Sequence, residues 1–325
     1  MPEQIFKPVD IMSPKIFGLP VDRDFLLSNH KDIYKKRIEK RQRKLIARLP
    51  FLKHYLRKDE KILLMTTGYS PLASPAQYLT GYVFVYLKRA MYVFTNYRIF
   101  HIPTTSVGKY KNSIAEIDYS GCESIDLKGG TLMVQYGRSG RRESFKAIAV
   151  SERKKIRALL KKSVPLSGTK GHLADRIHLC PRCTRKLAAG KYTCGSCRLE
   201  FKSKTFATIL ATLIPGGGYF YTQHYLVGGI NALLEILLIG YSVFLFNDFF
   251  NNNPVDMFHL VLTPLIFLYL KIASIFHSTH FIDEFIPKDA IIKPLATTKK
   301  LNRPKTADQT LKKVASGKIL KDFPS

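Results

Sequence analysis

From residue 205 to residue 270 the chain has no lysine and no arginine. Sixty-six consecutive positions without a cation exclude a conventional water-facing surface over that length. The contrast with the rest is sharp. The whole chain carries 52 basic against 24 acidic residues, a formal net charge of +28, and 41 of the basic residues precede Thr205. A field of one sign attracts polyanions, which means nucleic acid or anionic lipid headgroups. Composition does not choose between them. Mean hydropathy is near zero, so any membrane part is a minority of the 325 residues.

Other absences narrow the function. Residues 1–20 hold acids and four prolines but no apolar core, which argues against a signal peptide. The first membrane-length segment would then act as the insertion signal. No Ser-His-Asp set or paired-carboxylate pattern is identifiable by spacing. The glycines at 216–218 lack a following Lys-Ser/Thr, so they do not form a nucleotide loop. The chain therefore does not read as an enzyme. Only five cysteines occur, and four of them form two C-x-x-C pairs, a pattern that reads as metal binding in a reducing compartment.

The N-terminal extension, 1–55, opens irregularly and then turns helical between Ser28 and Phe51. Ile33, Tyr34, Ile38, Leu45, Ile46 and Leu49 fall roughly at helical spacing, with basic residues on the other faces. Such a helix either packs on the next domain or lies on anionic lipid. Residues 56–164 read as a β domain. Short β-branched and aromatic runs at 61–67, 81–87, 90–95, 98–103, 114–119, 131–136 and 143–150 are separated by turn signals. A helix follows, with Ser151 as its N-cap and Ile156, Leu159, Leu160 and Val164 as its apolar stripe. Seven strands and a closing helix describe a small barrel or sandwich. Cys122 reads as a small buried apolar residue beside a strand pattern.

Three stretches here carry a family likeness. They are Leu56-Arg-Lys-Asp-Glu-Lys-Ile-Leu63, then Met91 through Ile102 with Thr95-Asn96-Tyr97-Arg98 at its turn, then Ser113-Ile-Ala-Glu-Ile-Asp-Tyr119. Together they resemble the bacterial pleckstrin-homology-like and GRAM-type domains over about a hundred residues. The resemblance implies a seven-stranded barrel capped by a helix, and binding of lipid headgroups or proteins rather than catalysis. It carries over no ligand residues. From the residues themselves, Lys88, Arg89, Arg138, Arg141 and Arg142, in two basic turns, are candidates for an anionic-ligand patch; solvated hairpin tips are the alternative.

After a linker over 165–177, residues 178–203 hold Cys180-x-x-Cys183 and Cys194-x-x-Cys197. Each pair aims two sulfurs at one point, and the ten intervening residues suffice for a short hairpin. Four thiolates complete a tetrahedral zinc shell with no open position, so a structural role is expected. His172 and His178 lie near enough to substitute but are not needed. A redox dithiol is the alternative. The segment resembles a zinc ribbon, with Leu187, Tyr192 and Phe201 as its apolar support. Its basic residues leave nucleic-acid binding open, as a less favoured reading.

The membrane domain is placed at 204–280. Residues 228–247 and 257–276 are apolar runs long enough to span, joined by a short loop without basic residues. Residues 206–221 form a third, broken piece, expected to be re-entrant or interfacial rather than to cross. Its Pro215-Gly-Gly-Gly-Tyr-Phe-Tyr stretch resembles bacterial small membrane domains with a Pro-Gly-x-Gly-x-x-Tyr turn, which implies no known chemistry. Lys-rich flanks, including the basic tail 281–325, put both termini in the cytoplasm by the positive-inside rule. The bacterial resemblance then implies the inner membrane. Glu235 and Lys271 are the intramembrane charges: they either pair at matched depth, or Lys271 snorkels to the interface, or Glu235 serves transport. His277, His280 and Glu284 share a helical face and form a weaker candidate metal set. The combined expectation is a multi-domain α+β chain that binds lipid headgroups or a protein from a membrane anchor.

Overall fold

The computed structural model describes residues 15–71, 87–105, 108–137, 139–162, 175–251 and 253–289. It is α+β, with antiparallel sheets followed by apolar helices. A five-stranded sheet has the order β10-β6-β5-β4-β3, and a three-stranded sheet the order β7-β8-β9. Their ranges are β3 Ile62–Tyr69, β4 Arg89–Thr95, β5 Arg98–Pro103, β6 Ile114–Asp118, β7 Cys122–Lys128, β8 Thr131–Tyr136, β9 Arg142–Phe145 and β10 Ile177–Leu179.

Both faces of the larger sheet are covered, and every residue of β5 is buried. On one face, Tyr92, Phe94 and Ile99 meet Leu132, Val134 and Phe145 of the smaller sheet and Ile156 and Leu159 of helix Val150–Lys162. On the other face, Met65, Val93, Phe100 and Ile102 meet the N-terminal segment. That segment is a two-residue hairpin, β1 Lys15–Ile16 with β2 Leu19–Pro20, then helices Arg23–Leu27 and Lys36–Ile46. The second helix buries Gln42, Leu45 and Ile46 against the sheet and leaves most of its basic residues outward, Arg41 turning in to the buried Glu152. Gln42 is held by the sheet itself, donating to the Met65 carbonyl at 2.9 Å and accepting from the Met65 amide at 3.1 Å. Ile33 and Tyr34, expected on the apolar face, precede the helix and are more than half exposed.

Among the described residues the two sheets share a core but do not close into a barrel. Where β3 nears the chain after β9, only irregular bonds cross, Tyr69 N to Lys146 O at 2.9 Å and Ala149 N to Thr67 O at 3.1 Å. Two strand expectations need correction. Residues 122–128 form β7, whose charged outward residues and bulge between Cys122 and Ser124 obscure the alternation. Residues 143–150 divide, because Val150 begins the helix after β9 ends at Phe145. The 81–87 run lies outside the described residues except for Leu87.

The Thr95-Asn96-Tyr97-Arg98 motif proves to be a structural lock. Thr95 Oγ1 accepts from the Arg98 amide at 3.1 Å, closing the β4–β5 turn. Asn96 Oδ1 accepts from the Lys61 amide at 2.9 Å, which ties the turn to the acidic entry segment. Arg98 then makes a two-pronged contact with Glu60, at 2.9 and 2.7 Å, and a further ion pair with Glu116. All three charges are buried. Charge compensation and bidentate geometry are what make such burial tolerable.

The drawn boundaries also shift. The linker over 165–177 ends in sheet structure, since Ile177 pairs with Glu116 and Leu179 with Ile114. The tail drawn from 281 begins as ordered structure: Lys202 N donates to Ile286 O at 2.9 Å, and Lys288 N to Glu200 O at 3.1 Å. The remainder of that tail lies outside the described residues.

Candidate metal centre and charged cleft

The two cysteine pairs fold as near copies of one another, offset by fourteen residues. The Cys180 amide donates to Arg185 O at 2.8 Å, and the Cys194 amide to Leu199 O at 2.9 Å. Thr184 N returns to Cys180 O, and Arg198 N to Cys194 O, both at 2.9 Å. Leu187 N meets His178 O just as Phe201 N meets Tyr192 O, both at 2.8 Å. Thr184 and Arg198 hold the same left-handed conformation, with φ of 61° and 56°. That conformation is uncommon for residues with a side chain, and finding it at equivalent positions marks two copies of one turn.

Cys180, Cys183, Cys194 and Cys197 bring their sulfurs within 4.8 Å of one another. The closest pairs are 3.4 Å (Cys180 to Cys197) and 3.6 Å (Cys183 to Cys194). A tetrahedron with metal–sulfur bonds of about 2.3 Å has edges of about 3.8 Å, so the cluster fits zinc. Burial pushes the Cys180 thiol well above its ordinary range, and a divalent cation would supply the charge that lets it ionise. Leu187, Leu199, Phe201 and Phe285 surround the sulfurs. His178 is no ligand; its ring packs on Phe285 at 4.7 Å. His172 lies outside the described residues. His277, His280 and Glu284 do not converge as ligands, and among the described residues the cysteines are the one metal-type group. His277 instead shares a hydrogen bond with Tyr219.

A cleft of about 750 Å³ lies between the smaller sheet, the cysteine ribbon and the end of the second long helix. It gathers three of the five basic candidates, Lys88, Arg141 and Arg142. Arg89 lines a different cavity, with Arg48. Arg138 lies outside the described residues. Lys88 is not the solvated tip that sequence suggested: it is buried, 3.8 Å from Glu284 and over the Phe281 ring at 5.8 Å. Arg141 meets Glu143 at 3.1 Å, and Arg142 donates to the Gln135 amide oxygen at 3.0 Å.

Sequence reasoning missed Lys146, Arg176, His178 and Glu284 as members of this cleft. Arg176 reaches Glu143 at 3.1 Å. Its place depends on β10 joining β6, a pairing across some sixty residues that no local pattern reports. Burial pushes Lys88 down to about 8, with Glu284 opposing the shift. Burial would raise the Glu284 carboxyl, but Lys88 and Lys111 outweigh it and hold the group below its ordinary value.

Two helices, Tyr225–Phe250 and Met257–Ile282, are long and apolar enough to cross a membrane. Most of their apolar side chains face outward: Leu226 is 79% exposed and Phe250 77%, whereas Glu235 is fully buried. Lys271 Nζ lies 2.8 Å from Glu235 Oε2 and 3.2 Å from the Ala211 carbonyl, so it turns inward rather than snorkelling. Asn231 donates to the other Glu235 oxygen. At a rise of 1.5 Å per residue both charges sit ~15 Å from the neighbouring helix end.

The 206–221 piece forms a helical hairpin that turns back on itself. Helix Lys204–Leu213 breaks at Pro215, and helix Gly217–Tyr221 brings Tyr221 back to Ser203, whose amide donates to its hydroxyl at 3.2 Å. The glycines permit the approach. A Cβ on Gly216 would sit 2.2 Å from the Gly228 carbonyl, and one on Gly218 would sit 2.8 Å from Ser278 Oγ.

No family model, curated protein or solved structure matches the chain.

Proposed function

We propose that this chain is a membrane-anchored binding protein, in which a bilayer-spanning helical hairpin carries a pleckstrin-like β domain and a structural zinc ribbon on its cytoplasmic side. The observation that carries the reading is the polarity of the two 26-residue helices: apolar side chains outward, Glu235, Asn231, Ser274 and Ser278 inward. A core helix of a water-soluble protein has the opposite arrangement. The basic flanks and the cation-free loop support cytoplasmic termini.

Four strands in β3–β6, three in β7–β9 and a closing helix support the pleckstrin-like resemblance. The motif that carries that resemblance is occupied with holding Glu60 and Glu116, so ligand contact falls elsewhere. The domain also does not hang on a loose tether. Lys111 Nζ lies 3.1 Å from His224 at the start of the first long helix, and Ser113 donates to the Glu284 carbonyl. A platform fixed at the bilayer meets headgroups at high effective concentration, so weak intrinsic contacts suffice.

Membranes from cells making the full-length chain test the reading by alkaline carbonate extraction. The chain is expected in the pellet, and release into the supernatant overturns it. Asn253→Cys, in the short loop, should label from outside intact spheroplasts, and Lys58→Cys only after permeabilisation. The reverse pattern overturns the orientation. Preference for nucleic acid over vesicles of equal charge would favour the nucleic-acid role instead.

A further inference from the structure

We propose that the 750 Å³ cleft binds a phosphate monoester group, presented by an anionic lipid headgroup at the bilayer surface; this deepens the binding role proposed above and rests on it.

The cleft has the size of a small-molecule site. Its charge is arranged in two tiers. On the floor, Lys88 and Arg176 are compensated by Glu284 and Glu143, at 3.8 and 3.1 Å. On the wall, Arg142, Ser144 and Lys146 occupy alternate positions along β9 and its extension, so they share one face. Arg142 meets only the neutral Gln135 amide, and Lys146 makes no ion pair among the described residues. Two cations and a hydroxyl therefore stand on one ridge above a floor already neutral. His178 also lines the cleft, and among the described residues its buried Nε2 has no hydrogen-bond partner. A buried polar atom without a partner is costly. Both Glu284 oxygens are likewise without one and would repel an oxyanion, which places the ligand on the Arg142–Lys146 side of the cleft. An oxyanion in the cleft would meet the ridge and His178 together.

Location narrows the source. One wall consists of His280, Asp283 and Glu284, where the second long helix ends. On the proposed reading that is the level of the lipid phosphates. A monoester is favoured over a diester because it offers three terminal oxygens and close to two negative charges. Glu143, Asp283 and Glu284 within the same walls disfavour a merely diffuse attraction to any anionic surface.

The test uses full-length protein extracted in detergent, with native mass spectrometry as readout. Phosphatidic acid, a monoester lipid, and phosphatidylglycerol, a diester lipid, are offered in parallel, and glycerol 3-phosphate serves as the soluble monoester. Phosphatidic acid should be retained over phosphatidylglycerol, and Arg142→Gln/Lys146→Gln should lower its retention about tenfold. Lys53→Gln/Lys58→Gln removes the same charge elsewhere and should leave retention unchanged. Equal binding of glycerol 3-phosphate keeps the monoester site but overturns the lipid source. Equal retention of both lipids, or equal loss in both double variants, overturns the site. Neither result touches carbonate extraction, so a failed cleft and a failed membrane anchor are told apart.

Discussion

The β platform and the helical hairpin bury opposite things. In the platform, Tyr92, Phe94 and Phe100 are fully enclosed and most charges lie at the surface. In the hairpin, Glu235, Ser274 and Ser278 are enclosed and most leucines and phenylalanines lie at the surface, with Leu245, Leu260 and Phe281 buried. Apolar groups go wherever water is not. On the proposed membrane-anchored reading, one chain carries two folding rules, each suited to a different solvent. Both parts nevertheless enclose an ion pair: Arg98 between Glu60 and Glu116 in the platform, Lys271 with Glu235 in the hairpin.

The largest effect that would sharpen the contrast lies in the ribbon. Too short to bury a core, it depends on its four thiolates, whereas the hairpin depends on none. Cys183→Ser should abolish zinc retention, read by elemental analysis, and remove binding free energy of about 10 kcal/mol, by analogy with zinc-dependent peptides. Hydrogen exchange should rise over 178–201 and leave the two long helices protected. Exchange spreading equally into those helices would break the division into two folding regimes.

The two ion pairs come next. Arg98→Ala strands the buried Glu60 and leaves Glu116 only the exposed Lys186 at 3.5 Å, and should cost about 3–5 kcal/mol of platform stability in denaturant unfolding. Lys271→Ala strands Glu235 alone, and the two long helices should show a loss at or below the lower end of that range. Lys271→Met/Glu235→Gln should recover most of it. If the double variant is no better than the single, Lys271 matters for the Ala211 carbonyl rather than for the charge.

How far sequence reached follows the same divide. The cysteine site was legible because each pair is local, and four ligands need only a hairpin between them. The long helices were legible because a cation-free apolar run is its own signal, and their observed bounds exceed the expected spans by a few residues. Counting depth along both runs was enough to set Glu235 near Lys271. The cleft was not legible. It depends on β10 reaching β6 and on residues 284–288 returning to the ribbon, and both are non-local pairings of short polar segments. β7 was hidden for a different reason: Glu123, Asp126 and Lys128 dilute the apolar alternation of Cys122, Ile125 and Leu127.

A smaller effect tests the exposed surface of the hairpin. Leu233 is 59% exposed, and on a water-soluble protein Leu233→Asp would be nearly neutral. Facing lipid, the same change should cost about 3 kcal/mol of insertion. The readout is the membrane-inserted fraction during synthesis with microsomes or inverted vesicles. Ile33→Asp, at a comparably exposed site of the platform, is the control and should leave insertion unchanged. Equal tolerance of both substitutions would mean that the long helices meet water, and the inversion of polarity would lose its cause.

The smallest expected effect concerns the short helical hairpin over 204–221, where the two regimes meet. Gly216 has φ of +67°, and an added Cβ would press on the Gly228 carbonyl and the Ala232 methyl. Left-handed backbone alone costs a residue with a side chain about 1–2 kcal/mol, and the clash must be relieved by moving one helix. Gly216→Ala should therefore cost about 2 kcal/mol, seen as a lower thermal midpoint in detergent. Gly240→Ala, on the first long helix with open space around it, should cost nothing or stabilise by under about 1 kcal/mol. Gly129→Ala, at φ of +62° with nothing within 4 Å of the added Cβ, carries the backbone strain without a contact. A loss at Gly216 beyond the losses at Gly129 and Gly240 means that the short helices are packed against the long ones as tightly as the platform core is packed. The polarity of the two regions would then be opposite while their packing obeys one rule.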